Sequence, residues 1–145
     1  MSYVNNDFLE LIDSLNLRIK YIEIFFTDSF KKIPIHADDG PANFAKINWV
    51  YGGSGSSMNW YRPNKHYKPH QLTTPIKSKS ILYSNDSVEL LHSQPVGCPS
   101  IVQVGIPHNV VNYAEPRYCF STVLFTKENQ PVTVTELAGL FFNYI

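Results

Sequence analysis

Between Ile19 and Thr126, short runs rich in β-branched and aromatic residues alternate with clusters of Gly, Pro, Asn and Ser. A chain interrupted this often cannot sustain long helices, because each turn residue either removes a ladder donor or favours a backbone conformation outside the helix. The runs read as strands at Ile19–Phe26, Lys31–Asp38, Phe44–Tyr51, Ser57–Tyr61, Ser80–Tyr83, Val88–Leu91, Ile101–Val104, Asn109–Asn112 and Tyr118–Thr126. Many short strands separated by turn signals predict an all-β sandwich or barrel.

The two ends follow a different period. Phe8, Leu11, Ile12 and Leu15 fall at helical spacing, and Asn6 or Asp7 can cap the first turn, so Asp7–Asn16 reads as a short amphipathic helix. In Thr133–Ile145, Leu137, Leu140, Phe141 and Tyr144 lie at i, i+3, i+4 and i+7, with Thr133 and Glu136 spaced as a capping box. This second helix is expected to cover one sheet or to form a homodimer contact.

A length of 145 residues fits one domain, and an apolar content of 43% suits a globular chain with a packed core. Lys plus Arg and Asp plus Glu balance at 12 each, so no overall field draws the protein to nucleic acid or to an anionic membrane. No apolar run approaches the length of a membrane-spanning helix, and the N-terminus lacks the pattern of a secretory signal. The two cysteines, Cys98 and Cys119, supply neither a disulfide framework nor zinc spacing. A cytoplasmic, reducing compartment is therefore expected.

Chemistry concentrates at His36-Ala37-Asp38, which closes an apolar run. Residues two apart on a strand point to one face, so an imidazole and a carboxylate project side by side and offer neighbouring positions to a metal. His108, where Gly105 and Pro107 end one strand and another begins, is the candidate third ligand. Two His and one carboxylate on one side of an ion leave positions open, an arrangement suited to non-haem Fe(II) oxygenases. Further along, a strand beginning at Arg117 places Arg117, Cys119, Ser121 and Val123 on one face. A guanidinium on the inner face of such a strand is costly unless an anion pairs with it. The bland alternative is an Arg at the strand mouth whose head reaches solvent or an internal acid.

His36-Ala37-Asp38, Pro107-His108-Asn109 and Pro116-Arg117-Tyr118-Cys119-Phe120-Ser121, in this order and spacing, resemble the 2-oxoglutarate/Fe(II)-dependent oxygenase superfamily from about Ile33 to Phe125. The resemblance implies a double-stranded β-helix, a cupin-like jelly roll, between the two short helices. It further implies Fe(II) held by His36, Asp38 and His108, and 2-oxoglutarate as cosubstrate with its distal carboxylate on Arg117. The activity it implies is that of a dioxygenase acting as a hydroxylase. Members often carry Ser two residues after the Arg, where this chain has Cys119; Ser121 or a nearby Tyr is the candidate replacement.

Asn48, on the strand after the tripeptide, and Tyr61 are further candidate cosubstrate contacts, each with an ordinary strand or core role as the alternative. The segment Gly52-Gly53-Ser54-Gly55-Ser56-Ser57 is followed by no Lys-Ser/Thr and reads as a hairpin connection rather than a phosphate loop. Arg62–Lys79 holds five Lys or Arg and no Asp or Glu; it reads as a solvated loop or as the rim of a site for an anionic substrate. Cys98 and Cys119 read as small buried hydrophobes rather than nucleophiles. Two rival functions share the triad. One is a cupin-like metal-binding protein that uses no 2-oxoglutarate, the other an inactive binding or structural member of the superfamily.

Overall fold

The computed structural model describes residues 5–65, 67–68, 70–73, 79–97 and 99–144. It is mainly β, with two antiparallel sheets and two short α-helices. Helix α1 spans Asn6–Ser14, capped by the Asn5 side chain on the Asp7 amide. Among the described residues ten strands follow, in the chain order β1 (Leu17–Thr27), β2 (His36–Asp38), β3 (Ala45–Gly52), β4 (Ser57–Pro63), β5 (His70–Thr73), β6 (Lys79–Leu82), β7 (Val88–Pro95), β8 (Ser100–Gln103), β9 (His108–Val111) and β10 (Arg117–Thr126). Helix α2 (Val134–Phe141) closes the described chain with the reciprocal Thr133–Glu136 capping box expected from sequence. No helix among the described residues is long and apolar enough to cross a membrane.

The first sheet runs β1-β10-β3-β8, and the second runs β5-β6-β2-β9-β4-β7. Strands near the two ends of the chain, β1 and β10, are thus direct neighbours, as are β3 and β8. Val123 of β10, Val102 of β8 and Met58 of β4 belong to one buried cluster, against which Trp60 and Val110 pack, so the faces carrying them look into the space between the sheets. The opposite face of the first sheet carries Ala45, Ile47 and Leu124, buried under Ile12 of α1 and Leu137 and Phe141 of α2. The second helix therefore covers a sheet of its own chain.

Two segments differ from the sequence reading. Lys31–Asp38 is predicted as one strand, but only His36–Asp38 enters a ladder, with Lys32 in an isolated bridge to Val111. Pro34 has no N–H to donate and interrupts the pairing between them. Arg62–Lys79 is predicted as a loop, yet it contains β5, which pairs with β6 through Gln71 opposite Ile81 and Leu72 opposite Ser80. Its polar composition hides the strand because β5 is an exposed edge. His66, Pro69 and residues 74–78 lie outside the described residues, as does Cys98.

Candidate metal centre

His108 opens β9, where it pairs with His36 of β2 on one side and Trp60 of β4 on the other. Trp60 packs against the cluster between the sheets, and residues directly opposite on neighbouring strands share a face, so both imidazoles look inward. Asp38, two residues after His36, projects to the same side. The approach to β9 depends on Gly105, since a Cβ there would lie 1.9 Å from the Pro41 carbonyl oxygen. No other residue lets the chain pass so close before Pro107 and His108.

The three side chains form a compact donor set, their ligand atoms all within 4.8 Å of one another. His36 Nδ1 lies 2.8 Å from the Pro34 carbonyl, and His108 Nδ1 lies 2.9 Å from the Ile106 carbonyl. A carbonyl only accepts, so each Nδ1 carries a proton that it donates there, which leaves Nε2 as the ring atom for a metal. The same device, a carbonyl two residues upstream, thus fixes both tautomers. His36 Nε2 stands 3.7 Å from Asp38 Oδ1. Burial, and then the neighbouring His36, push His108 down to about 4, which keeps it neutral and available as a ligand at ordinary pH. Two imidazoles and one carboxylate make a donor set that suits a divalent first-row ion and leaves room for further ligands.

Two charged residues that the sequence reading passed over belong to this site. Lys46 of β3 is 5% exposed, and its ammonium lies 2.7 Å from Asp38 Oδ2 and 2.7 Å from Glu23 Oε2. Burial works against the charged ammonium, but Asp38 and Glu23 outweigh it and hold Lys46 above its usual range. Signals for both existed. Lys46 alternates with Ile47 on the face that Asn48 shares, and Glu23 interrupts an apolar strand between Ile22 and Ile24.

A cleft of about 720 Å³ opens onto the site, lined among others by Tyr21, Phe25, His36, Asp38, Lys46 and Lys79. The β5–β6 hairpin supplies one wall through Leu72, Ser80 and Leu82. Of the Lys and Arg side chains of Arg62–Lys79, the described lining holds Lys79 alone.

Arg117, Cys119 and Ser121 share the inward face of β10 with Val123, all of them buried. Arg117 is 3% exposed, pairs with no acidic side chain among the described residues, and leaves its Nε without a hydrogen-bond partner. The turn after β3 makes room for it: a Cβ on Gly53, where φ is +68°, would lie 2.7 Å from Arg117 Cβ. Burial raises the Cys119 thiol above its ordinary range, against the opposing pull of Arg117. Asn48 lies opposite Ser121 and Ser100 lies opposite Asn48, and Asn48 Oδ1 and Ser100 Oγ are also buried without partners. These side chains do not line the cleft. Asn112, whose amide donates to the Thr27 carbonyl opposite Arg117, is four residues from His108, about 13 Å along the strand.

Tyr61 is the one candidate placed elsewhere. Its hydroxyl donates to Asn109 Oδ1 at 3.2 Å, and Asn109 follows His108 and so points to the opposite face of the sheet. The register shift opposite Trp60 and Tyr61 falls on β7, where His92 and Leu90 are their partners, so β4 keeps its alternation and turns Tyr61 to the face opposite Trp60. No family model matches the chain, and no curated protein matches it.

Proposed function

We propose that the protein is an Fe(II)- and 2-oxoglutarate-dependent dioxygenase built on a double-stranded β-helix. The strand order supports the fold: with β5 and β6 set aside as a hairpin added at one edge, the sheets read β1-β10-β3-β8 and β2-β9-β4-β7. Each sheet then interleaves early and late strands, as a long hairpin rolled on itself requires.

The observation that carries the functional reading is the pair of imidazoles, each with Nδ1 against a carbonyl, grouped with Asp38 so that one ligand atom of each residue lies within 4.8 Å of the others. His36, Asp38 and His108 would hold the iron. Bound there, iron would activate dioxygen and couple its reduction to the oxidation of 2-oxoglutarate to succinate and carbon dioxide. Arg117 would take the distal carboxylate of the cosubstrate; its burial without an acidic partner is the state expected of a guanidinium reserved for an anionic ligand. Asn48 and Ser100, whose oxygens lack partners, can meet the same ligand. The apolar walls of the cleft, Tyr21, Phe25 and Leu72 among them, would exclude water from the substrate side.

Anaerobic addition of Fe(II) and then 2-oxoglutarate tests this reading. A weak visible charge-transfer band, followed by succinate once oxygen is admitted, is the expected result. Iron uptake with no response to 2-oxoglutarate would favour the cupin-like alternative. Binding of 2-oxoglutarate without succinate would favour an inactive member.

A further inference from the structure

The two oxygens of Asp38 have different neighbours. Oδ1 faces His36 Nε2 at 3.7 Å, on the side of the donor set, whereas Oδ2 accepts from the Lys46 ammonium at 2.7 Å. This contact crosses between the sheets, since Asp38 belongs to β2 and Lys46 to β3. Lys46 is itself held from behind, 2.7 Å from Glu23 of β1, and the Lys46 and Glu23 side chains are 6% and 12% exposed. An ammonium so enclosed has little freedom to swing away.

A carboxylate beside a divalent ion can bind through one oxygen or chelate through both. Chelation would use a position that a bidentate cosubstrate needs. We propose that Lys46, clamped by Glu23, is a positioning residue that occupies Asp38 Oδ2 and thereby holds Asp38 to one-oxygen ligation, keeping an added coordination position open. The inference rests on reading the site as a metal centre. It explains why a cation is buried beside the carboxylate that a metal requires. Like charge beside the ion weakens metal binding, and the open position is what that loss secures.

Two affinities should therefore move in opposite directions when Lys46 is neutralised. In Lys46→Met, Mn(II) should bind several-fold more tightly, because a cation has gone and Asp38 can chelate. The Mn(II)-loaded variant should bind 2-oxoglutarate about 10- to 100-fold more weakly, the range typical of lost outer-shell partners. Lys46→Arg, which keeps both charge and donors, should restore 2-oxoglutarate affinity toward that of the unmodified protein. A Co(II) visible spectrum checks the coordination independently of any turnover, and it should change in Lys46→Met and return with Lys46→Arg. Should Lys46→Met fail to fold, Lys46→Gln serves in its place: it removes the charge but retains a donor, so Mn(II) should bind more tightly with a smaller loss of 2-oxoglutarate affinity. If the folded variants move both affinities the same way, or move neither, the positioning role is overturned while the metal centre stands. If the unmodified protein takes up neither Mn(II) nor Co(II), the metal reading falls and this inference with it.

Discussion

The sheet β1-β10-β3-β8 buries its inner face and the helix-covered end of its outer face, and the two buried surfaces differ in character. On the outer face, Ala45, Ile47 and Leu124 are each 0% exposed, sealed by Leu137 and Phe141 of α2 and Ile12 of α1. On the inner face the same strands bury Lys46, Ser121 and Arg117, with Asn48 half-buried beside them, and Arg117 Nε and Asn48 Oδ1 lack partners there. One face has the composition of a core that stabilises the fold. The other contains desolvated polar groups whose cost a bound ligand would offset under the proposed function. Alternation along a strand is what allows ten residues of β10 to serve both ends.

Substitutions should separate the faces. The largest effect expected is at the donor set: His108→Ala should weaken Mn(II) binding by more than about 100-fold, above the range for outer-shell residues, without unfolding the metal-free protein. Calorimetric titration checks both points. On the outer face, Leu137→Ala should cost about 3 kcal/mol of stability by denaturant unfolding, because it leaves a cavity beneath α2. Metal affinity of the folded variant should be unchanged; a large loss would mean that the two faces are not independent.

Acid offers a second contrast. His108 binds its proton near pH 4 in the fold against an ordinary value of 6.5, so the unfolded chain takes up the proton first as pH falls. The contribution is fully present above about pH 6.5 and is lost progressively toward pH 4, by about 3 kcal/mol at most. Metal-free protein should follow that curve in thermal melts from pH 7 to 4, and His108→Asn should flatten it.

Arg117→Met should raise metal-free stability by about 1–2 kcal/mol, since it removes a buried guanidinium without an acidic partner. The same change should weaken 2-oxoglutarate binding about 30-fold or more. A variant that loses both stability and ligand would place Arg117 with the core instead. The smallest effect is expected at the basic segment, where Lys65→Glu with Lys68→Glu should raise KM for an anionic substrate in a salt-sensitive way and leave stability within about 0.5 kcal/mol.

The side-by-side placement of His36 and Asp38 was legible because one short strand holds both side chains at a spacing that alternation makes meaningful. His108 was legible only from its setting, since nothing local links residue 108 to residue 36. Their adjacency comes from β2 and β9 pairing across a long connection. The helices were read from periodicity and capping, and the Thr133–Glu136 box is present as expected. Lys46 and Glu23 each stood out on their own strands, but their pairing with each other and with Asp38 leaves no spacing signature, because the three lie on different strands. Tyr61 sits on the opposite face of β4 from Trp60, and neighbouring aromatic residues on one strand do not by themselves say which face looks inward.

X-ray absorption at the iron edge tests the central claim most directly, on anaerobic protein loaded with one equivalent of Fe(II). The account predicts two imidazole ligands with the remaining positions filled by oxygen, falling to one imidazole in His108→Ala. A spectrum with no imidazole, or one dominated by sulfur, would contradict it.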